Sequence, residues 1–105
     1  MAYLSTFRFK GDPDTLLRIK REDVEPAAFE IARRYGAIAH FYARADDGLV
    51  LYTIWETSQG PEAVKEIGPI ARAAGMPPAE HEVVELAGHH HWGAADGEAV
   101  AASVR

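Results

Sequence analysis

The sequence predicts one α+β domain whose elements run strand, helix, strand, strand, helix, strand. Two observations carry this. Four short runs alternate aromatic, β-branched and apolar residues with a period near two, and two longer stretches repeat apolar residues at three- and four-residue spacing. A third bounds it: with 105 residues, 48% hydrophobic and 26% charged, the chain has the balance of a single globular core.

The first strand spans Tyr3 to Phe9 and stops at Lys10, Gly11 and Asp12. Asp12 before Pro13 is a helix start: the carboxylate accepts from first-turn amides, and proline lacks an N–H that would go unpaired there. Leu16, Leu17, Val24, Ala28, Ile31, Ala32 and Tyr35 then form one apolar stripe that ends at Gly36. Pro26 deletes a helical hydrogen bond, so a kink or break is expected near Asp23 to Pro26. Ala37–Arg44 and Leu49–Glu56 read as a hairpin across Ala45, Asp46, Asp47 and Gly48, with Gly48 expected to supply a positive φ. Ala63, Val64, Ile67, Ile70, Ala71 and Ala74 mark the second helix, which Gly68 and Pro69 are expected to split into two short pieces. Gly75 to Pro78 break the chain before a fourth strand, Glu80 to Ala87.

This order corresponds to the ferredoxin-like sandwich, a four-stranded antiparallel sheet with both helices on one face. Residues 1–92 form that domain, and 93–105 read as a mobile Ala- and Gly-rich tail with room for a short helix over 97–104. Nothing remains to cover the second sheet face. By alternation its apolar residues would include Phe7, Phe9, Ile38, Tyr42, Leu49, Leu51 and Trp55, a patch that marks an interface or a ligand site. A domain this small gains much from a partner, so a homodimer is expected.

Composition removes several functions. Eleven Lys and Arg against sixteen Asp and Glu give a net charge of −5, which opposes nucleic-acid binding. The absence of cysteine removes disulfides, thiolate metal sites and a cysteine nucleophile. No apolar run suits a membrane span and no secretory leader is legible, so the expected location is cytoplasmic. Arg18, Lys20, Arg21, Arg33 and Arg34 alternate with acids on the first helix and read as a solvated face.

The segment Leu49-Val-Leu-Tyr-Thr-Ile-Trp-Glu-Thr-Ser58, followed by a helix with Glu62 in its first turn, resembles the third strand of the antibiotic-biosynthesis monooxygenase-like proteins of the dimeric α/β-barrel superfamily. Ser5-Thr-Phe-Arg-Phe-Lys-Gly11 is similar to their first strand, and the resemblance covers Met1 to Ala87. It implies two sheets packed face to face in a homodimeric barrel that binds a small aromatic molecule. The implied chemistry is oxygenation or cyclisation without a metal or organic cofactor; the alternative is a non-catalytic ligand-binding or assembly protein. Trp55 resembles the tryptophan that lines the pocket, while Thr6 or Phe7 stands where many members carry asparagine. The second helix has no histidine, which disfavours the haem-degrading branch.

The residues themselves nominate His40, Tyr42 and Arg44 on one face of the second strand, expected to point into the barrel while Ala37, Ala39, Phe41 and Ala43 meet the helices. His40 would act as base, with Tyr42 or Arg44 stabilising a phenolate. Phe7, Leu51 and Trp55 would form the apolar wall, Trp55 being chosen over Tyr52. A strand histidine at a dimer seam is the commoner role. His89 and His91 could share a metal with His90 pointing away, but a polar strand end explains the run more simply, and the site is read as metal-free.

Overall fold

The computed structural model of the chain describes residues 1–90. The elements are β1 (Tyr3–Lys10), α1 (Pro13–Ile19), a π-helical turn (Lys20–Val24), α2 (Glu25–Arg34), β2 (Ala37–Ala45), β3 (Gly48–Trp55), α3 (Gly60–Ala74) and β4 (Ala79–Glu85). The strands form one antiparallel sheet in the order β2-β3-β1-β4, the ferredoxin-like arrangement. The end of the expected domain and the tail, 91–105, lie outside the described residues.

Asp12 caps α1 as expected, its carboxylate accepting from the Thr15 amide at 2.9 Å and the Thr15 hydroxyl at 2.8 Å. The break at Pro26 takes a particular form. Before that proline the helix widens into the π turn, whose diagnostic bond runs from the Glu25 amide to the Lys20 carbonyl. Residues five apart point in different directions on an α-helix, but the wider turn brings Lys20 and Glu25 together as an ion pair.

Three local expectations are corrected. α3 is one helix through Pro69. The proline faces solvent, and Gly68 has no Cβ to collide with the proline ring, which removes the main reason the preceding residue leaves the helical region. Gly48 does not have a positive φ; it is required by close approach, since a Cβ there would lie 1.8 Å from the Phe9 carbonyl oxygen. The fourth strand is Ala79–Glu85 and lies largely uncovered, with every residue after Ala79 exposed.

The core forms between helices and sheet in two clusters. Leu16, Ile19, Val24, Ala28, Leu49 and Met76 make one, and Ile31, Trp55 and Ala63 the other. Pairing of Tyr3 with Trp55, Ser5 with Thr53, Phe7 with Leu51 and Phe9 with Leu49 places all eight residues on this covered face. His40, Tyr42 and Arg44 join it, opposite Thr53, Leu51 and Leu49. This corrects the predicted orientation: Phe7, Phe9, Tyr42, Leu49, Leu51 and Trp55 face the helices rather than the uncovered side. The helix layer has volume to fill, and large side chains fill it better than the alanines of β2.

The uncovered face exists, built from the complementary set. Leu4, Ala39, Phe41, Ala43, Val50, Tyr52, Ile54 and Val84 lie on it, with Phe41 49% and Val84 41% exposed. The Phe41 and Tyr52 rings stack at 5.3 Å. Ile38 belongs to neither alternation, because Ala37 pairs with Trp55 and Ala39 with Ile54, leaving it as a bulge.

Candidate functional site

The covered face carries one polar group with no obvious structural use. His40 Nδ1 lies 2.9 Å from the Thr53 hydroxyl, across the β2–β3 pair. His40 Nε2 is sealed from solvent and is the one buried side-chain polar atom among the described residues without a hydrogen-bond partner. Around the imidazole stand Phe29, edge-on at 5.6 Å between ring centroids, and Tyr42, tilted at 5.8 Å.

Lys20 completes this cluster. It is only 2% exposed, pairs with Glu25, and holds its ammonium 3.8 Å from the Tyr42 ring centroid and 5.5 Å from that of Phe29. From outside, Arg21 Nε donates to the Tyr42 hydroxyl at 3.3 Å. Both cations come from the π turn, so the irregularity that Pro26 induces is what aims them at β2.

Burial, and second the Lys20 ammonium, push the His40 pKa down from 6.5 to about 4. The imidazole is therefore neutral near neutral pH. The direction of the His40–Thr53 bond follows the tautomer: when Nδ1 carries the proton and donates to Thr53, Nε2 is left as a bare lone pair among the surrounding rings. Because the folded state binds this proton less readily than the unfolded chain, stability is full above about 6.5 and falls as pH drops towards about 4. Urea unfolding across that window is expected to show a stability slope that His40→Gln reduces; an unchanged slope would assign it to other groups.

The predicted residues divide under this geometry. His40 and Tyr42 share a face as expected, but it is the helix-covered face, which corrects the expectation that they point into the barrel. Arg44 does not join them: it pairs with Asp14 at the start of α1 and is exposed. Trp55 is packed away, 2% exposed, with its indole N–H donating to Ser5 Oγ at 2.8 Å. Leu51 packs against the first core cluster, and Phe7 stacks on His81 at 4.1 Å. Lys20, Arg21, Glu25, Phe29 and Thr53 were not singled out as site residues. A signal for Lys20 existed, since it sits four residues after Leu16 and four before Val24, inside the apolar stripe.

Two of the depressions, of about 440 and 180 Å³, lie at the hairpin end of the sheet, lined by Phe9, Lys10, Asp47, Leu49, Val50 and Pro78, and along β1 and β4, lined by Thr6, Arg8 and Glu82. Neither touches His40, Tyr42 or Trp55. His89 and His90 are exposed beyond β4, and His91 lies outside the described residues. Among the described residues no group of three or more His, Cys, Asp or Glu comes together to hold a metal ion, and no helix is long and apolar enough to cross a membrane.

No protein-family model and no curated protein matches the chain. Solved structures do. The chain is similar to a mutant form of SnoaB, a cofactor-independent oxygenase from Streptomyces nogalater, at 19% identity over 84% of this chain and 93% of that one, with a TM-score of 0.58. It is similar to the ActVA-Orf6 monooxygenase of Streptomyces coelicolor, solved with nanaomycin D, at 17% identity over 86% and 91%, with a TM-score of 0.59. A protein of unknown function from Nitrosomonas europaea matches at 20% identity over 90% and 98%, with a TM-score of 0.58. The fold is that of the antibiotic-biosynthesis monooxygenase-like proteins. At these identities the likeness concerns fold, not reaction.

Proposed function

We propose that the chain forms a homodimeric α/β barrel whose protomers each bind a small phenolic aromatic molecule beside His40 and oxidise it by a cofactor-independent, monooxygenase-like reaction. The observation that carries this reading is the buried, neutral His40 with an unpartnered Nε2. An orphaned polar atom costs stability, and the burial and Lys20 charge that lower the His40 pKa to about 4 make it a weak base in the empty site; a phenolic oxyanion forming beside Lys20 offsets that charge and lets the imidazole take the hydroxyl proton. The uncovered apolar sheet face supports the dimer, and the named activities of two structural neighbours support the reaction class.

In the proposed step the substrate is the reductant. His40 takes a proton from the phenolic substrate, and the resulting anion transfers an electron to O2. The two radicals join through a new C–O bond. The peroxide anion takes the proton back from His40 and then loses water, so the carbon that is a methylene in the substrate's keto tautomer becomes a carbonyl, with one oxygen atom of O2 in the product and one in water. Phe29 provides an apolar ring against which a planar substrate packs.

The test is oxygen uptake with 1,8-dihydroxyanthrone as probe. One O2 is expected per probe oxidised, with His40→Gln lowering the rate about 100-fold. No turnover, together with native mass spectrometry showing no retained organic molecule, would sink the reading. It would favour the alternative, a non-catalytic ligand-binding or assembly protein. That alternative has its own support: the rings around His40 pack closely, and both depressions lie elsewhere.

A further inference from the structure

A base sealed from solvent needs a way in. We infer that the Tyr42 phenol plugs the entrance to the His40 site, which runs between β2 and the π turn and opens when Tyr42 leaves its seat between Lys20 and Arg21. This deepens the reading above by saying how a ligand reaches His40, and its test needs no substrate.

The walls around Nε2 differ in what holds them. Thr53 belongs to β3, an interior strand of the sheet, and is buried. Phe29 is 44% exposed, but it rides on α2, whose inner face, Ala28 and Ile31, is in the core, and it meets the imidazole edge to face. Tyr42 stands on β2, an edge strand, and its ring is held by side-chain contacts with two cations of the π turn. Its hydroxyl bond to Arg21 is exposed and, at 3.3 Å, long. Rotating the ring outward breaks that bond and two cation–π contacts, and leaves Lys20 its ion pair with Glu25.

The vacated seat has a definite chemistry. It lies against a buried ammonium and beside a neutral imidazole, so it suits a planar aromatic ring whose face takes over the contact with Lys20 and whose hydroxyl donates to Nε2. Tyr42 thus occupies the seat in the empty protein and sets which ring can replace it. A charged aliphatic molecule gains neither contact.

The test is carbethoxylation by diethyl pyrocarbonate on the full chain near neutral pH, read histidine by histidine by mass spectrometry. The exposed His81 serves as internal reference. His40 in the wild type is expected to react at least about 10-fold more slowly than His81, as a locally protected group does. Tyr42→Ala is expected to raise its rate about 10-fold, with His81 unchanged. Arg21→Ala and Tyr42→Phe, which remove only the latch, are expected to raise it by a smaller factor. Arg21 is exposed, so its variant also keeps the test open should Tyr42→Ala fail to fold. Phe41→Ala, on the same strand but the opposite face, is expected to leave His40 protected.

His40 remaining protected in both Tyr42→Ala and Arg21→Ala would overturn the plug, as would equal unmasking by Phe41→Ala, which would mean general loosening of β2. The two readings fail separately. An unmasked His40 without oxygen uptake would leave the plug standing and remove the oxygenase, whereas oxygen uptake with a His40 that stays protected would do the reverse.

Discussion

Trp55→Ala is expected to lower the unfolding free energy by about 3–5 kcal/mol, the range for deleting a large aromatic from a core. The indole is 2% exposed and is the largest member of the second core cluster, packed with Ile31 and Ala63. Its contact with α3 is close enough to dictate sequence there, since a Cβ on Gly60 would come within 2.9 Å of three indole atoms. Truncation also removes the donor that satisfies Ser5, a residue of 0% exposure, and leaves that hydroxyl buried without its partner. Equilibrium urea unfolding reads the effect as a lowered midpoint at unchanged slope. A loss under about 1 kcal/mol would mean that the two layers close over the missing ring, and that the tryptophan serves something other than the core.

The Lys20–Glu25 pair is expected to respond unequally to removal of its two members. Glu25→Ala strands an ammonium that is 3% exposed, and a buried charge deprived of its partner costs about 3–5 kcal/mol. Lys20→Met leaves a carboxylate that is 18% exposed and has a path to water, while placing an apolar chain of similar length against Phe29 and Tyr42. That variant is expected to match the wild type within about 1 kcal/mol or to exceed it. Thermal and urea unfolding of the two single variants test the asymmetry. Equal and large losses would make the pair a structural bridge. The expected inequality would show the ammonium to be kept at a cost in stability, as groups retained for chemistry commonly are.

Much of the fold was legible because its signals are local. The Asp12–Pro13 start, the helix end at Gly36, the Gly75 break and the two-residue alternation each depend on a few neighbours, and each appears near where the residues placed it. What failed was parity. Both faces of this sheet are apolar, so alternation locates the strands without saying which side the helices cover. The alanines of β2 suggested close helix contact, yet the interlayer space is filled from the other set, by Phe9, Tyr42, Leu49 and Trp55.

The site was half legible for the same reason. His40 and Tyr42 were found because a histidine and a tyrosine two apart on a strand must share a face. Lys20 was read as part of a solvated face, although it is buried, and its pairing with Glu25 was not legible because five-residue spacing becomes a contact only in the π turn before Pro26. Arg44 shared the parity of His40 but lies at the hairpin end of the strand, where Asp14 claims it.

The bulge at Ile38 lets β2 vary in length without turning His40 off its face. Ala37 and Ala39 pair with consecutive residues of β3, so Ile38 is surplus to the ladder. A relative lacking one residue there would keep both flanks in register and still turn the equivalents of His40 and Tyr42 towards its helices. One lacking a residue between Phe41 and Arg44 would invert part of the strand and lose some of them from that face. A one-residue difference in β2 between two chains of this fold is therefore absorbed at Ile38, with the face that carries His40 preserved.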